Sequence, residues 1–134
     1  MADAIAWVDA IAPEQAVGIC GAKMGRLAEL IQAGVTLPKG FTVTVDAYRQ
    51  HCAQAGLDQV IDAAFAGLGP QSGPGEIEAA AQVARDAMTS RELDAGLAAL
   101  ISDAYEELSA RCFDVNVPTA VRSSAIGEDS GTAS

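Results

Sequence analysis

A chain of 134 residues has room for one modest hydrophobic core, which excludes a complete multi-domain enzyme within these residues. Half of the residues are apolar, but 28 are alanine and only one Trp, two Tyr and three Phe occur, so disorder is excluded and a helical core of small side chains is expected. The net charge of -10, with Lys23 and Lys39 the only lysines, excludes a surface built to bind phosphate backbones of nucleic acid.

No apolar run approaches the roughly 18 residues that span a bilayer, and Met1-Ala2-Asp3-Ala4 lacks the basic region of a secretory signal. A cytoplasmic protein with no membrane partner is the expectation. Cys20, Cys52 and Cys112 are odd in number and have neither zinc-like nor redox-like spacing, which reads as reduced, mostly buried thiols.

In chain order, Ala4-Ile5-Ala6-Trp7-Val8 is short, apolar and ended by Asp9, which suits a buried strand. Val17 to Gly25 contains three glycines and reads as a loop. Met24, Leu27, Leu30 and Ile31 then recur at helical spacing, with Gly34 placed to terminate the helix. Pro38-Lys39-Gly40 is a turn, and Phe41-Thr42-Val43-Thr44-Val45 alternates apolar and hydroxyl side chains as strands do. Thr44 or Asp46 is suited to cap a helix through Tyr48 towards Ala55, interrupted by Gly56.

Leu57, Val60, Ile61, Ala64, Phe65 and Leu68 mark the next helix, and the glycines and prolines between Gly67 and Gly75 mark a surface loop. Ile77, Ala80, Ala81, Ala84 and Met88 form a further helical stripe. Thr89-x-x-Glu92 matches a capping box opening a last helix from Leu93 to about Cys112. Pro118 to Ser124 reads as a strand running into small and polar residues. The fold class expected is α/β: a small sheet from the segments near Trp7, Phe41 and Val121, covered by about five helices.

Two segments are suited to chemistry. Gly21-Ala22-Lys23-Met24-Gly25 precedes a helix, where glycines let backbone N–H groups approach an anion, the helix N-terminus adds partial positive charge and lysine adds a full one. It is neither a P-loop nor a Gly-x-Gly-x-x-Gly dinucleotide fingerprint, and by itself it reads more readily as a tight turn with a solvated lysine than as an anion site. In Ala120 to Ser134, Arg122 lies in an apolar stretch, and a guanidinium in a strand requires an anionic partner. That partner is either a bound phosphate or a structural carboxylate, Glu128 or Asp129.

Together these segments resemble the N-terminal nucleotide-binding part of the pyruvate phosphate dikinase and phosphoenolpyruvate synthase family, which includes rifampicin phosphotransferase and phenylphosphate synthase. Its Gly-Gly-Lys-Gly-Ala-Asn-Leu-Gly-Glu-Leu pattern is matched by residues 21–30, its Ala-Gly-Val/Ile-Pro-Val-Pro-x-Gly-Phe pattern by residues 33–41, and its Val-Arg-Ser-Ser-Ala-x-x-Glu-Asp pattern by residues 121–129, in that order. Ala22, Met24 and Arg26 replace two glycines and an asparagine of the first pattern. Arg26 is open to two readings, a second phosphate cation or a solvated side chain.

The resemblance implies the first lobe of an ATP-grasp fold over residues 1–134, ending inside the phosphate-binding loop, and thus a fragment of an ATP-dependent phosphotransferase that is inactive alone. It implies ATP as ligand, its β-phosphate passing to a histidine on a separate domain. Lys23 and Arg122 would contact the phosphates, with Arg122 acting catalytically on the transferring group, and Gly131, Thr132 and Ala133 would begin the loop over them. Mg2+ ligands, the second lobe and the phosphohistidine domain would come from outside this chain, as parts of the same enzyme or a partner subunit. His51, the single histidine, matches no phosphorylated-histidine motif. The alternative of another class is a non-catalytic acidic helical module that binds a protein partner through an alanine-rich face.

Overall fold

The computed structural model describes residues 4–127. It contains six helices and a two-stranded antiparallel sheet, and the residues fall into two compact units, one formed by residues up to Tyr48 together with those from Ala95 onward, the other by Arg49–Asp94.

In the first unit, β1 (Ile5–Trp7) pairs with β2 (Phe41–Val43) in the register Ile5↔Val43, Ala6↔Thr42, Trp7↔Phe41. The terminal pair also brings two rings to 5.6 Å between centroids, a tilted aromatic contact of the kind that adds to cross-strand pairing. The β run is shorter than its alternation suggests because Thr44, whose N–H still donates to Ala4 O at 2.9 Å, uses its side chain to cap α3 (Val45–Gln54): its Oγ1 accepts a hydrogen bond from the Ala47 N–H at 3.2 Å. Val45, read as strand from its β-branching, therefore opens a helix.

Helix α6 (Ala95–Arg111) packs on this ribbon. Ala4, Ala47 and Leu97 form the buried centre, with Leu100 and Ile101 against it, a core of small side chains as the alanine content requires. Asp114 N bonds to Ser109 O at 2.9 Å and Phe113 N to Ala110 O at 3.0 Å, which ends α6 in a Schellman-type turn with Phe113 at φ 56°.

The remaining part of this unit is a helical hairpin, α1 (Pro13–Cys20) and α2 (Ala22–Gln32), joined by Gly21 alone. The expected loop from Val17 to Gly25 is thus one residue long. Three glycines lowered the helical expectation, but Gly18 and Gly25 lie inside helices, and the packing between the helices outweighs their intrinsic cost. A Cβ at Gly25 would fall 2.5 Å from Val17 Cγ2, so the glycine there permits the close approach. Gly34 ends α2 at φ 85°, with Gly34 N bonded to Ile31 O and Val35 N to Leu30 O.

The second unit contains α4 (Leu57–Phe65) and α5 (Pro74–Ser90), packed on each other, with Gly56 at φ 65° ahead of α4. Pro74 occupies the first position of α5, and Glu76 Oε2 accepts from Gly73 N at 2.8 Å. The Thr89-x-x-Glu92 match does not open a helix. Thr89 lies in the last turn of α5 and donates to the Arg85 carbonyl at 2.9 Å, and α6 starts later, at Ala95.

The third expected strand, near Val121, is also absent among the described residues, and the helices number six rather than five. Residues 117–125 run without helix or strand, and Val121 is 95% exposed. β-Branched sequence favours extended backbone, but a strand exists only where another strand completes the ladder.

Candidate functional site

Gly21 has φ 85° and ψ 168°, a conformation that a Cβ opposes. It closes one helix and opens the next: its N–H bonds to Val17 O at 2.9 Å, and its carbonyl accepts from Gly25 N at 3.0 Å. Cys20 and Ala22 on either side are buried, and Lys23, in the first turn of α2, is partly buried. The lysine thereby stands at the positive end of an 11-residue helix, where an anion is favoured.

An arm of residues 117–127 reaches this helix end from α6. At its start, Tyr105 OH donates to Val117 O at 3.0 Å and Val117 N donates to Ser109 Oγ at 3.3 Å. Further along, Ala22 N donates to Ala125 O at 3.0 Å, and Ser124 packs on Gly21. The arm is thus fixed at both ends, to α6 and to the first turn of α2. The two segments singled out for chemistry meet through their backbones. Lys23 follows the residue that donates across the junction, and Arg122 precedes Ser124 by two positions.

Arg122 is exposed, not enclosed in an apolar strand. The argument that burial forces it to find an anion therefore fails for these residues; its side chain is hydrated, and its availability to a ligand follows from exposure instead. Gly131, Thr132 and Ala133, and the carboxylates of Glu128 and Asp129, lie outside the described residues. The residue that sequence reasoning passed over is Ser124. Its signal was the Ser-Ser pair directly after Arg122, which reads as generic small polar sequence until Gly21 is found beneath it.

Cys20 adjoins the junction but is no nucleophile at neutral pH, because burial pushes its thiol up from 9.0 to about 11. All three cysteines are free thiols; Cys20 and Cys52 are buried and Cys112 partly so. His51 lies in α3. Among the described residues, no group of three or more His, Cys, Asp or Glu side chains is placed to hold a metal ion, and no helix is long and apolar enough to cross a membrane. An open groove of about 710 Å³ runs along α6 between Ile101, Tyr105 and Val115, and none of its lining residues belongs to the Lys23 and Arg122 segments.

Comparison with known proteins matches the model of the family "Pyruvate phosphate dikinase, AMP/ATP-binding domain" over residues 17–134. A Methanocaldococcus jannaschii protein named "Probable phosphoenolpyruvate synthase" is 35% identical over 93% of this chain and 10% of its own length. The phosphoenolpyruvate synthase of Aeropyrum pernix is 32% identical over 93% of this chain and 15% of its own length. That of Neisseria meningitidis is 35% identical over 84% of this chain and 14% of its own length. The chain therefore spans only a small part of the relatives it matches. With the match running from the α1–Gly21–α2 hairpin through the Arg122 arm, this chain belongs to the pyruvate phosphate dikinase AMP/ATP-binding domain family.

Proposed function

We propose that these residues form the first lobe of an ATP-grasp nucleotide site in a dikinase-type phosphotransferase of the cytoplasm, which passes the β-phosphate of ATP to a histidine on another domain. The single observation that best supports this reading is the meeting of the Ala22 N–H with the Ala125 carbonyl, which draws the Lys23 helix and the Arg122 arm to one place. Each segment alone reads as ordinary structure; two cation-bearing segments at one helix N-terminus fit a polyphosphate.

On this reading Lys23 holds ATP oxygens with help from the α2 terminus, and Arg122 meets charge on the transferring phosphoryl group. Such preorganised cations are the main catalytic contribution in phosphoryl transfer, where the transition state spreads negative charge over non-bridging oxygens. Arg122 presents a planar fork suited to two of those oxygens, and Lys23 acts as a point charge. Gly131, Thr132 and Ala133 supply backbone N–H groups over the phosphates. Mg2+ neutralises further phosphate charge when bound, through ligands contributed from outside this chain. The acceptor histidine and the final substrate also belong to other parts of the parent enzyme.

The test is titration of MgATP into the parent enzyme and into its Lys23→Met and Arg122→Met variants. Loss of a charge-assisted contact weakens binding by roughly tenfold or more. Wild-type affinity in either variant would overturn the phosphate-binding role assigned to that residue.

A further inference from the structure

Gly21 and Ser124 are packed more closely than two residues with Cβ atoms are able to be. An ideal Cβ on Gly21 would lie 2.5 Å from Ser124 Oγ and 2.7 Å from both the carbonyl carbon and oxygen of Ser124. The contact is flanked by the Ala22 N to Ala125 O bond at 3.0 Å, so side chain and backbone fix the same register. Beneath it, the close packing of Gly25 on Val17 joins α1 to α2 and leaves the Gly21 junction little freedom to yield.

Ser124 Oγ is buried and has no hydrogen-bond partner among the described residues. A hydroxyl hidden from water without a partner opposes folding, so global stability does not account for serine here. What the position demands is a side chain small enough to seat on Gly21. We propose that Ser124 is a positioning residue: by seating on Gly21 it sets Arg122, two residues earlier, against Lys23, two residues after the glycine. The proposal rests on the phosphate-binding reading of Lys23 and Arg122 and adds to it the element that holds the pair in register. It acts through size and placement, with no contact between Ser124 and the nucleotide.

The experiment is a double-mutant cycle on MgATP affinity in the parent enzyme, measured by calorimetry, with Ser124→Val, Arg122→Ala and the double variant. Val adds a γ-branch against Gly21, so Ser124→Val is expected to weaken ATP binding about tenfold, whereas the smaller Ser124→Ala stays within about twofold of wild type. In the Arg122→Ala background, Ser124→Val is expected to cause no further loss, because there is no longer a guanidinium to misplace. A merely structural role would instead add its loss to that of Arg122→Ala. Should Ser124→Val fail to fold by near-ultraviolet circular dichroism, Ser124→Thr, which adds one methyl group, is read in the same way. Unchanged affinity in a folded enlarged variant, or full additivity with Arg122→Ala, overturns the positioning role. Wild-type affinity in Arg122→Ala itself overturns the underlying phosphate reading, and the positioning role with it, before any Ser124 variant is considered.

Discussion

The guanidinium of Arg111 lies 3.6 Å from the centroid of the Trp7 ring, joining the last turn of α6 to β1. The same arginine pairs with Glu107 one turn back and approaches Asp9 at 3.9 Å, while its carbonyl accepts from Lys39 Nζ at 2.7 Å. Both carboxylate partners are half exposed, so the ion pairs contribute little. The stacked cation and the packed aliphatic stem contribute more.

Arg111→Ala is therefore expected to destabilise the fold by about 1–2 kcal/mol, with Arg111→Lys intermediate because lysine keeps the charge but not the planar stack. Urea denaturation followed by Trp7 fluorescence reads both. A urea denaturation curve for Arg111→Ala that overlies wild type would show that the stack contributes nothing.

Two glycines three positions apart, Gly18 and Gly21, should respond in opposite directions. Gly21→Ala meets both an unfavourable backbone conformation and Ser124, and is expected to cost about 2 kcal/mol or more. Gly18→Ala, in the interior of α1 with nothing within 4 Å of its added Cβ, is expected to stabilise by about 0.5–1 kcal/mol. Equal effects of the two substitutions on the denaturation midpoint would contradict the geometry described for Gly21.

In the parent enzyme, Arg122→Ala is expected to nearly abolish ATP-dependent phosphorylation, a loss of roughly 3 kcal/mol or more of transition-state stabilisation. His51→Ala should leave the rate almost unchanged, since His51 lies in α3 and has no part in the proposed site. Incorporation of label from ATP carrying radiolabelled phosphorus in its β-phosphate measures both. A strong defect in the His51 variant, with Arg122→Ala active, would reverse the assignment.

Cys20 makes a pH-dependent contribution of definite sign. Its folded pKa of about 11 exceeds the ordinary 9.0 because burial disfavours the thiolate. The folded state therefore retains the proton where the unfolded state loses it. The resulting stabilisation is complete below about pH 9 and is lost as the pH rises towards 11. Cys20→Ala should flatten that part of the stability profile. Alkylation of Cys20 at pH 8 should be much slower in the native protein than in urea, as peptide mapping would show.

What was legible in the sequence was whatever depends on neighbours along the chain. The stripes of α2, α4, α5 and α6, the Gly34 and Gly56 breaks and the Phe41 strand follow from local periodicity and local backbone preference, and the ordered motifs at Lys23 and Arg122 pointed to the family before any fold was known. Where local preference competed with longer-range packing, the sequence reading went astray. Gly18 and Gly25 suggested a loop but lie in helices that pack on each other, Thr89 resembled a cap but ends a helix, and Val121 suggested a strand but finds no ladder among the described residues. Only the tertiary structure placed Ser124 on Gly21 and showed Arg122 exposed. Composition and spacing determine which backbone each segment prefers and which charges it carries, whereas the approach of residues one hundred positions apart is decided by close packing, which no local pattern encodes.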